Sequence, residues 1–113
     1  MTSAIDPTRF ADLQATAGAD FVVELIDTFL HEAPGLLAEL RAARADGDAD
    51  RYRRAAHSLK SNGNTFGATA LGAQAREIEL AGLGEAAADA ARIAALEAEY
   101  AHAAQALREL RDV

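Results

Sequence analysis

His57, Lys60 and Ser61 are the residues of this chain whose types and spacing could carry out chemistry. Residues three and four positions apart are neighbours on a helix, so in a helix Lys60 and Ser61 lie one turn from the histidine ring. The ordinary pKa of histidine is about 6.5, so a large share of the rings is neutral and nucleophilic near pH 7. Lys60 can therefore reach a group attached to the ring, and the small Ser61 leaves the ring accessible.

The apolar residues around His57 predict which way its ring points. On a helix that turns about 100° per residue, four apolar side chains cluster within roughly 100° and form the core face: Tyr52, Ala55, Ala56 and Leu59. His57 points about 150° away from the centre of that face, toward solvent, and Lys60 lies on the flank. The polar residues on the side of His57 are Arg53, Arg54, Ser61 and Asn64. This patch is locally basic, as a phosphoryl group requires; the alternative is an ordinary solvated face.

Apolar spacing and end signals predict five helices that position these residues. The predicted ranges are 6–16, 19–46, 49–64, 68–81 and 86–111. Asp6 and Asp48 are the expected N-caps, and Gly47 is an expected C-cap. Pro34 interrupts the second range, but the apolar phase continues across it. We therefore expect one long, kinked helix, with two separate helices as the alternative.

Short connections between amphipathic helices favour antiparallel neighbours. The prediction is an all-α domain over residues 1–113, an antiparallel up-down four-helix bundle with a short N-terminal helix. The expected core positions of the long helix are Val22, Leu25, Ile26, Phe29, Ala33, Leu36, Leu37, Leu40 and Ala43. Those of the next to last helix are Leu71, Ala75 and Ile78, and those of the last are Ile93, Leu96, Tyr100, Ala103, Leu107 and Leu110.

Composition excludes several classes of function. The formal net charge is −7, which disfavours nucleic acid as a partner because phosphate neutralisation needs a basic surface. The chain has no cysteine, so disulfides, thiolate catalysis and cysteine zinc sites are excluded. No apolar run is long enough to span a membrane, and the N-terminus lacks a signal-peptide pattern. We expect a cytoplasmic protein.

Residues 57–61, HSLKS, resemble the signature of histidine-containing phosphotransfer domains, which is roughly H-x-L-K-[GS], then a glycine, then an apolar helix. Gly67 follows the histidine by ten residues, and Leu71 lies beyond it. The upstream stretch DTFLHEAPGLLAELRAARADGDADRYRRAAHSLK is also similar to the family, and the resemblance covers roughly residues 5–83. Ser61 stands where glycine is commonest, and the stretch 62–64 is more polar than usual.

The resemblance implies a phosphorelay intermediate. His57 would accept a phosphoryl group from a phospho-aspartate of one receiver domain and pass it to another receiver, with Nε2 as the attacking atom. Lys60 would stabilise the phosphoryl oxygens, Ser61 would permit close approach, and Gly67 would let the next helix pack closely. Such a chain is a carrier without a kinase or ATP-binding domain of its own, and not an enzyme.

The partners implied are receiver domains of response regulators and of hybrid histidine kinases. The receiver would bring Mg²⁺, so we expect no cofactor and no metal on this chain. Docking would use the surface around His57 and a flank of the long helix: Phe21, Thr28, His31, Glu32 and Gly35, of which Phe21 is the one most expected to be core. The contact should be transient and the chain a monomer. The initial methionine and the length favour a free-standing protein over a piece of a hybrid kinase.

Two other functions remain open from the sequence. One is a helical adaptor that binds receiver or kinase domains without being phosphorylated. The other is a metal enzyme, since di-iron bundles use a Glu-x-x-His pair on each of two helices. Glu99 and His102 form one such pair, but Thr28 precedes His31 and no second pair exists.

Overall fold

The structure is a computed structural model that describes residues 4–112. This part of the chain contains no strand and five helices, α1 Pro7–Ala17, α2 Ala19–Asp46, α3 Ala49–Thr65, α4 Thr69–Ala81 and α5 Ala86–Arg111. The predicted all-α fold is confirmed, and every helix boundary lies within one residue of its predicted position.

The helix ends form where side-chain caps and glycines were expected. Asp6 accepts backbone N–H bonds from the first turn of α1 at 2.9 and 3.4 Å, and Asp48 accepts one from Arg51 at 3.1 Å. Each bond satisfies an N–H group that has no partner within the helix. Gly47 ends α2 in the left-handed conformation, with φ of 68°. Pro34 lies inside α2, which runs on as one helix, so the alternative of two helices is wrong.

Four helices, α2 to α5, form a ring in which each packs against two neighbours. Within residues 4–112, α3 and α5 lie diagonally across the ring, and no Cα atom of one lies within 8 Å of a Cα atom of the other. Ion pairs along α2 and α5 establish their antiparallel direction, because Asp27 near the start of α2 pairs at 2.8 Å with Arg111 at the end of α5, and Arg41 pairs with Glu97. The predicted up-down bundle is confirmed, and α1 lies against α2 and α3.

The core is built from the inner faces of all five helices, with Phe29 at an aromatic cluster. Its ring centroid lies 5.4 Å from that of Phe66 and 5.7 Å from that of Tyr100. Nearly all predicted core residues are buried or half-buried. Leu110 is the exception, with 38% of its surface exposed. It was expected in the core, but α1 does not pack on α5, so the side of α5 that carries Leu110 stays open.

One buried carboxylate joins three parts of the bundle. Asp89, in the first turn of α5, is fully buried, and its Oδ2 lies 3.0 Å from Nε of Arg44 on α2. The same oxygen accepts a 2.9 Å hydrogen bond from the backbone N–H of Gly84 in the α4–α5 connection. Because an unpaired buried charge is costly, this cluster holds α5 in register with α2.

Candidate functional site

His57 projects from the outer face of α3, as the helical periodicity predicts. Its side chain is 58% exposed, while all four predicted core residues of α3 are buried. The polar residues predicted to share its side, Arg53, Arg54, Ser61 and Asn64, are all exposed. The orientation follows from the burial of one α3 face, because each side chain of a helix has a fixed direction relative to the others.

A carboxylate from the next helix holds the ring of His57. Glu79 of α4 places Oε2 2.7 Å from Nδ1 of His57 and Oε1 2.6 Å from Nζ of Lys60. Its side chain is 21% exposed, and that of Lys60 is 23% exposed. The hydrogen bond from Lys60, followed by the one from His57, keeps the pKa of Glu79 below its ordinary value, although partial burial acts in the opposite direction. Glu79 is therefore an ionised acceptor at neutral pH.

This contact determines which nitrogen of the ring is nucleophilic. An ionised carboxylate can only accept hydrogen bonds, so Nδ1 of His57 must carry the proton that it donates to Glu79. In the neutral ring the lone pair then lies on Nε2, the nitrogen farther from the backbone. The arrangement resembles the carboxylate that orients the histidine of a catalytic triad and stabilises positive charge on the ring. The site is thus arranged for attack by Nε2.

Small residues let α3 and α4 approach closely enough for this contact. A Cβ on Gly72 of α4 would lie 2.0 Å from Oδ1 of Asn64, and one on Gly63 of α3 would lie 3.2 Å from Cδ2 of Leu71. Either methyl group would push the helices apart or displace a side chain. Asn64, predicted as a supporting residue on the side of His57, therefore contacts α4.

Gly67 plays a different part from the one predicted. It has φ of 81°, and a Cβ there would lie 3.0 Å from the backbone oxygen of Asp6 and 3.0 Å from Cβ of Arg9. Its carbonyl accepts a 2.8 Å hydrogen bond from the N–H of Asp6. The prediction that Gly67 lets the next helix pack closely is wrong, because the close neighbour is the start of α1.

A groove between α2 and α3 opens beside His57. It has a volume of about 580 Å³ and is lined by His31, Glu32, Gly35, Leu36, His57, Ser58, Ser61 and Asn62. Three of the predicted docking residues, His31, Glu32 and Gly35, thus lie in one groove with the histidine. Thr28 is exposed on α2 outside the lining, and Phe21 is 51% exposed. The expectation that Phe21 is core is wrong, because Val22 beside it takes the inward position.

Glu79 is the residue of the site that the sequence did not predict. It follows Ile78, a core residue of α4, and lies roughly 70° from the centre of the α4 core face. A carboxylate on the flank of an apolar face is a weak signal, because many solvated glutamates share that position. Only the packing of α4 on α3 distinguishes it.

The rival metal site has a single pair in the structure. Nδ1 of His102 lies 3.6 Å from a carboxylate oxygen of Glu99, one turn away on α5. Residues 4–112 contain no group of three or more histidine, aspartate or glutamate side chains arranged to hold a metal ion. None of the helices in the same range is both long and apolar enough to cross a bilayer.

Comparisons with known proteins agree with this geometry. The family model of the Hpt domain matches residues 24–109. The fold is similar to the crystal structure of histidine-containing phosphotransfer protein B (HptB) from Pseudomonas aeruginosa PAO1, with a TM-score of 0.86 and 28% sequence identity. That alignment covers 99% of this chain and 97% of the other. A comparison with curated protein sequences found no significant match.

Proposed function

The chain belongs to the Hpt domain family, and we propose that it is a cytoplasmic phosphorelay intermediate that carries a phosphoryl group on His57. The observation that carries the proposal is the His57–Glu79 contact on an exposed side chain, which places the lone pair of the neutral ring on Nε2. The donor is a phospho-aspartate of a receiver domain, and the acceptor is an aspartate of another receiver or of the same one. The chain itself is a carrier and not a kinase.

The transfer step balances without a cofactor on this chain. Nε2 of neutral His57 forms a bond to phosphorus while the bond from phosphorus to the aspartyl oxygen breaks, and the aspartate leaves as a carboxylate. The proton on Nδ1 stays where it is, hydrogen-bonded to Glu79. Positive charge that develops on the ring lies beside the carboxylate of Glu79, which lowers its energy. The receiver supplies Mg²⁺ for the phosphoryl oxygens.

Lys60 has two possible partners during this reaction. In the unphosphorylated protein its Nζ lies 2.6 Å from Glu79. Residues at i and i+3 are neighbours on a helix, so the same ammonium can reach oxygens of a phosphoryl group on His57. We propose that Lys60 turns from Glu79 to the phosphoryl group as the group arrives, because that group carries more negative charge than one carboxylate. Ser61, small and exposed, leaves Nε2 accessible.

Phosphotransfer from purified, phosphorylated receiver domains of the same organism tests the function. The wild type is compared with His57→Gln, and His102→Gln is a matched control because it removes an exposed histidine on α5, outside the groove beside His57. We expect an acid-labile, alkali-stable label on the wild type and on the control and none on His57→Gln. If no receiver labels the folded wild type, the relay function is wrong, and a helical adaptor that binds receivers is the better account.

A further inference from the structure

The groove beside His57 continues along α2 and α3 toward the start of α3. A second cavity of about 190 Å³ adjoins the first, and Leu36 and Ser58 line both. Its remaining lining residues are Glu39, Arg51, Arg54 and Ala55. The two cavities form one channel, the α2–α3 groove, which is bounded by two antiparallel helices. A surface of this shape accepts a third helix, as in a bundle.

Charges of opposite sign stand unpaired at the two ends of the α2–α3 groove. Glu32 is exposed at one end and Arg54 at the other, and neither has an ion-pair partner within residues 4–112. Arg51 also lines the second cavity, but it is neutralised by Glu39 at 2.7 Å and by Asp46 at 2.9 Å. Arg51 contributes most to the lowered pKa of Glu39, and Arg54 adds to this effect without forming an ion pair. Glu32 and Arg54 are therefore the charges of the groove that have no ion-pair partner in the described residues.

The spacing of these charges matches helical geometry. Arg54 and Glu39 line the second cavity together, so they lie at a similar position along the groove. Glu39 is seven residues from Glu32 on α2. Seven residues of a helix span about 10 Å, or two turns. Between the ends the groove is lined by Gly35, which is exposed and where an added Cβ has nothing within 4 Å.

We propose that Glu32 and Arg54 select the partner receiver and fix its orientation in the α2–α3 groove. The receiver presents a helix that carries a basic residue opposite Glu32 and an acidic residue about two turns away opposite Arg54. The inference rests on the proposed function, since the occupant is the receiver that exchanges phosphoryl groups with His57. Because both charges are exposed, they act mainly on the rate and the direction of docking and little on the strength of the final contact.

Charge reversal tests the inference. The variants are Glu32→Lys, Arg54→Glu, and the double change Glu32→Arg with Arg54→Glu, which keeps the net charge and reverses the polarity of the groove. Glu109→Lys and Arg108→Glu are matched controls near the end of α5, which lies diagonally across the ring from α3. The rate of transfer from each phosphorylated receiver is divided by the rate of labelling with phosphoramidate, a small donor that needs no docking.

We expect both single variants to transfer at least about tenfold more slowly than wild type with its preferred receiver in about 0.05 M NaCl. The difference should nearly vanish in about 0.5 M NaCl, where exposed charges are screened. The double variant should remain slow with that receiver, because polarity and not net charge determines the docking.

Four results would overturn the inference. Single variants that behave like the α5 controls would show that the two charges select nothing, while transfer to wild type would leave the proposed function intact. Recovery in the double variant would assign the effect to net charge. Sedimentation that shows a wild-type dimer lost in Glu32→Lys would assign the groove to a second copy of this chain. If no receiver labels wild type, the proposed function fails and the inference fails with it.

Discussion

His57 and Glu79 are 22 residues apart in the chain, and Nδ1 of the one lies 2.7 Å from Oε2 of the other. The contact joins α3 to α4 and assigns the two nitrogens of the ring different roles. Nδ1 donates to the carboxylate, while Nε2 of the neutral ring carries the lone pair. The carboxylate also binds Lys60, so one residue of α4 organises both of the groups that the sequence marked on α3.

Glu79→Ala should remove the preference for the Nδ1–H tautomer of His57. Nitrogen chemical shifts of the 3 histidines measure this directly, and those of His31 and His102 should not change. Phosphotransfer should slow by about 10- to 100-fold, by analogy with the loss of the hydrogen-bond partner that orients a metal-binding histidine. Glu79→Gln should keep part of the rate, since an amide oxygen still accepts from Nδ1. A variant with an unchanged tautomer would contradict the role given to Glu79.

Phosphorylation should move Lys60 from Glu79 to the phosphoryl group. Lys60 is the only lysine of the sequence, so ¹⁵N-lysine labelling gives a single side-chain signal. That signal should shift when the wild type is phosphorylated by phosphoramidate, and His57→Gln should show no shift under the same treatment. A lysine signal that does not shift on phosphorylation would mean that Lys60 keeps its contact with Glu79.

Acid should weaken the contribution of Glu79 to stability. Its pKa is lowered in the folded protein from an ordinary value of 4.5. A group with a lowered folded pKa stabilises the fold above its unfolded pKa, and that stability disappears as the pH falls through the folded value. The difference in unfolding free energy between wild type and Glu79→Gln should therefore be constant above about pH 5.5 and shrink below about pH 4.5. Urea unfolding at a series of pH values from about 6 down to about 3 measures this difference, with Glu109→Gln as the control.

Gly67→Ala should destabilise the fold, whereas Gly35→Ala should not. At Gly67 an alanine must adopt φ of 81° and approach the backbone of Asp6, which costs about 1–3 kcal/mol. At Gly35, inside α2, a Cβ has nothing within 4 Å, and alanine gains about 0.5–1 kcal/mol of helix propensity. Thermal unfolding of the two variants should give shifts of opposite sign. Equal changes in melting temperature would mean that the contact between Gly67 and the start of α1 does not require a glycine.

Arg44→Met should be far more costly than Arg41→Met. Arg44 is the nearer of two arginines that pair with Asp89, which is fully buried, so its loss leaves the carboxylate with Arg92 alone, at 3.7 Å, and costs up to about 3 kcal/mol. Arg41 lies on the same helix, but its pair with Glu97 is exposed, with 50% and 36% of the two side chains accessible. Such a pair contributes about 0–1 kcal/mol. Chemical denaturation measures the unfolding free energy of both variants. Similar decreases for Arg44→Met and Arg41→Met would contradict a structural role for Asp89.

The sequence by itself determined the five helices, their ends and the side of α3 on which His57 lies. Caps such as Asp48 and the left-handed Gly47 act within a few residues of the chain, and the helical repeat relates His57 to Leu59 without reference to any other helix. The long α2 was predictable for the same reason, because the apolar phase across Pro34 is a local property. These predictions are confirmed.

Only the tertiary structure decided which residues from different helices meet. Glu79 reaches His57 because α4 approaches α3 at Gly72, and Gly67 contacts α1 and not α4 because of where the chain crosses the end of the bundle. The exposure of Phe21 and Leu110 depends likewise on how far neighbouring helices cover α2 and α5. Helix rotation and spacing are set by the packing of whole faces, and periodicity along one helix carries no information about them.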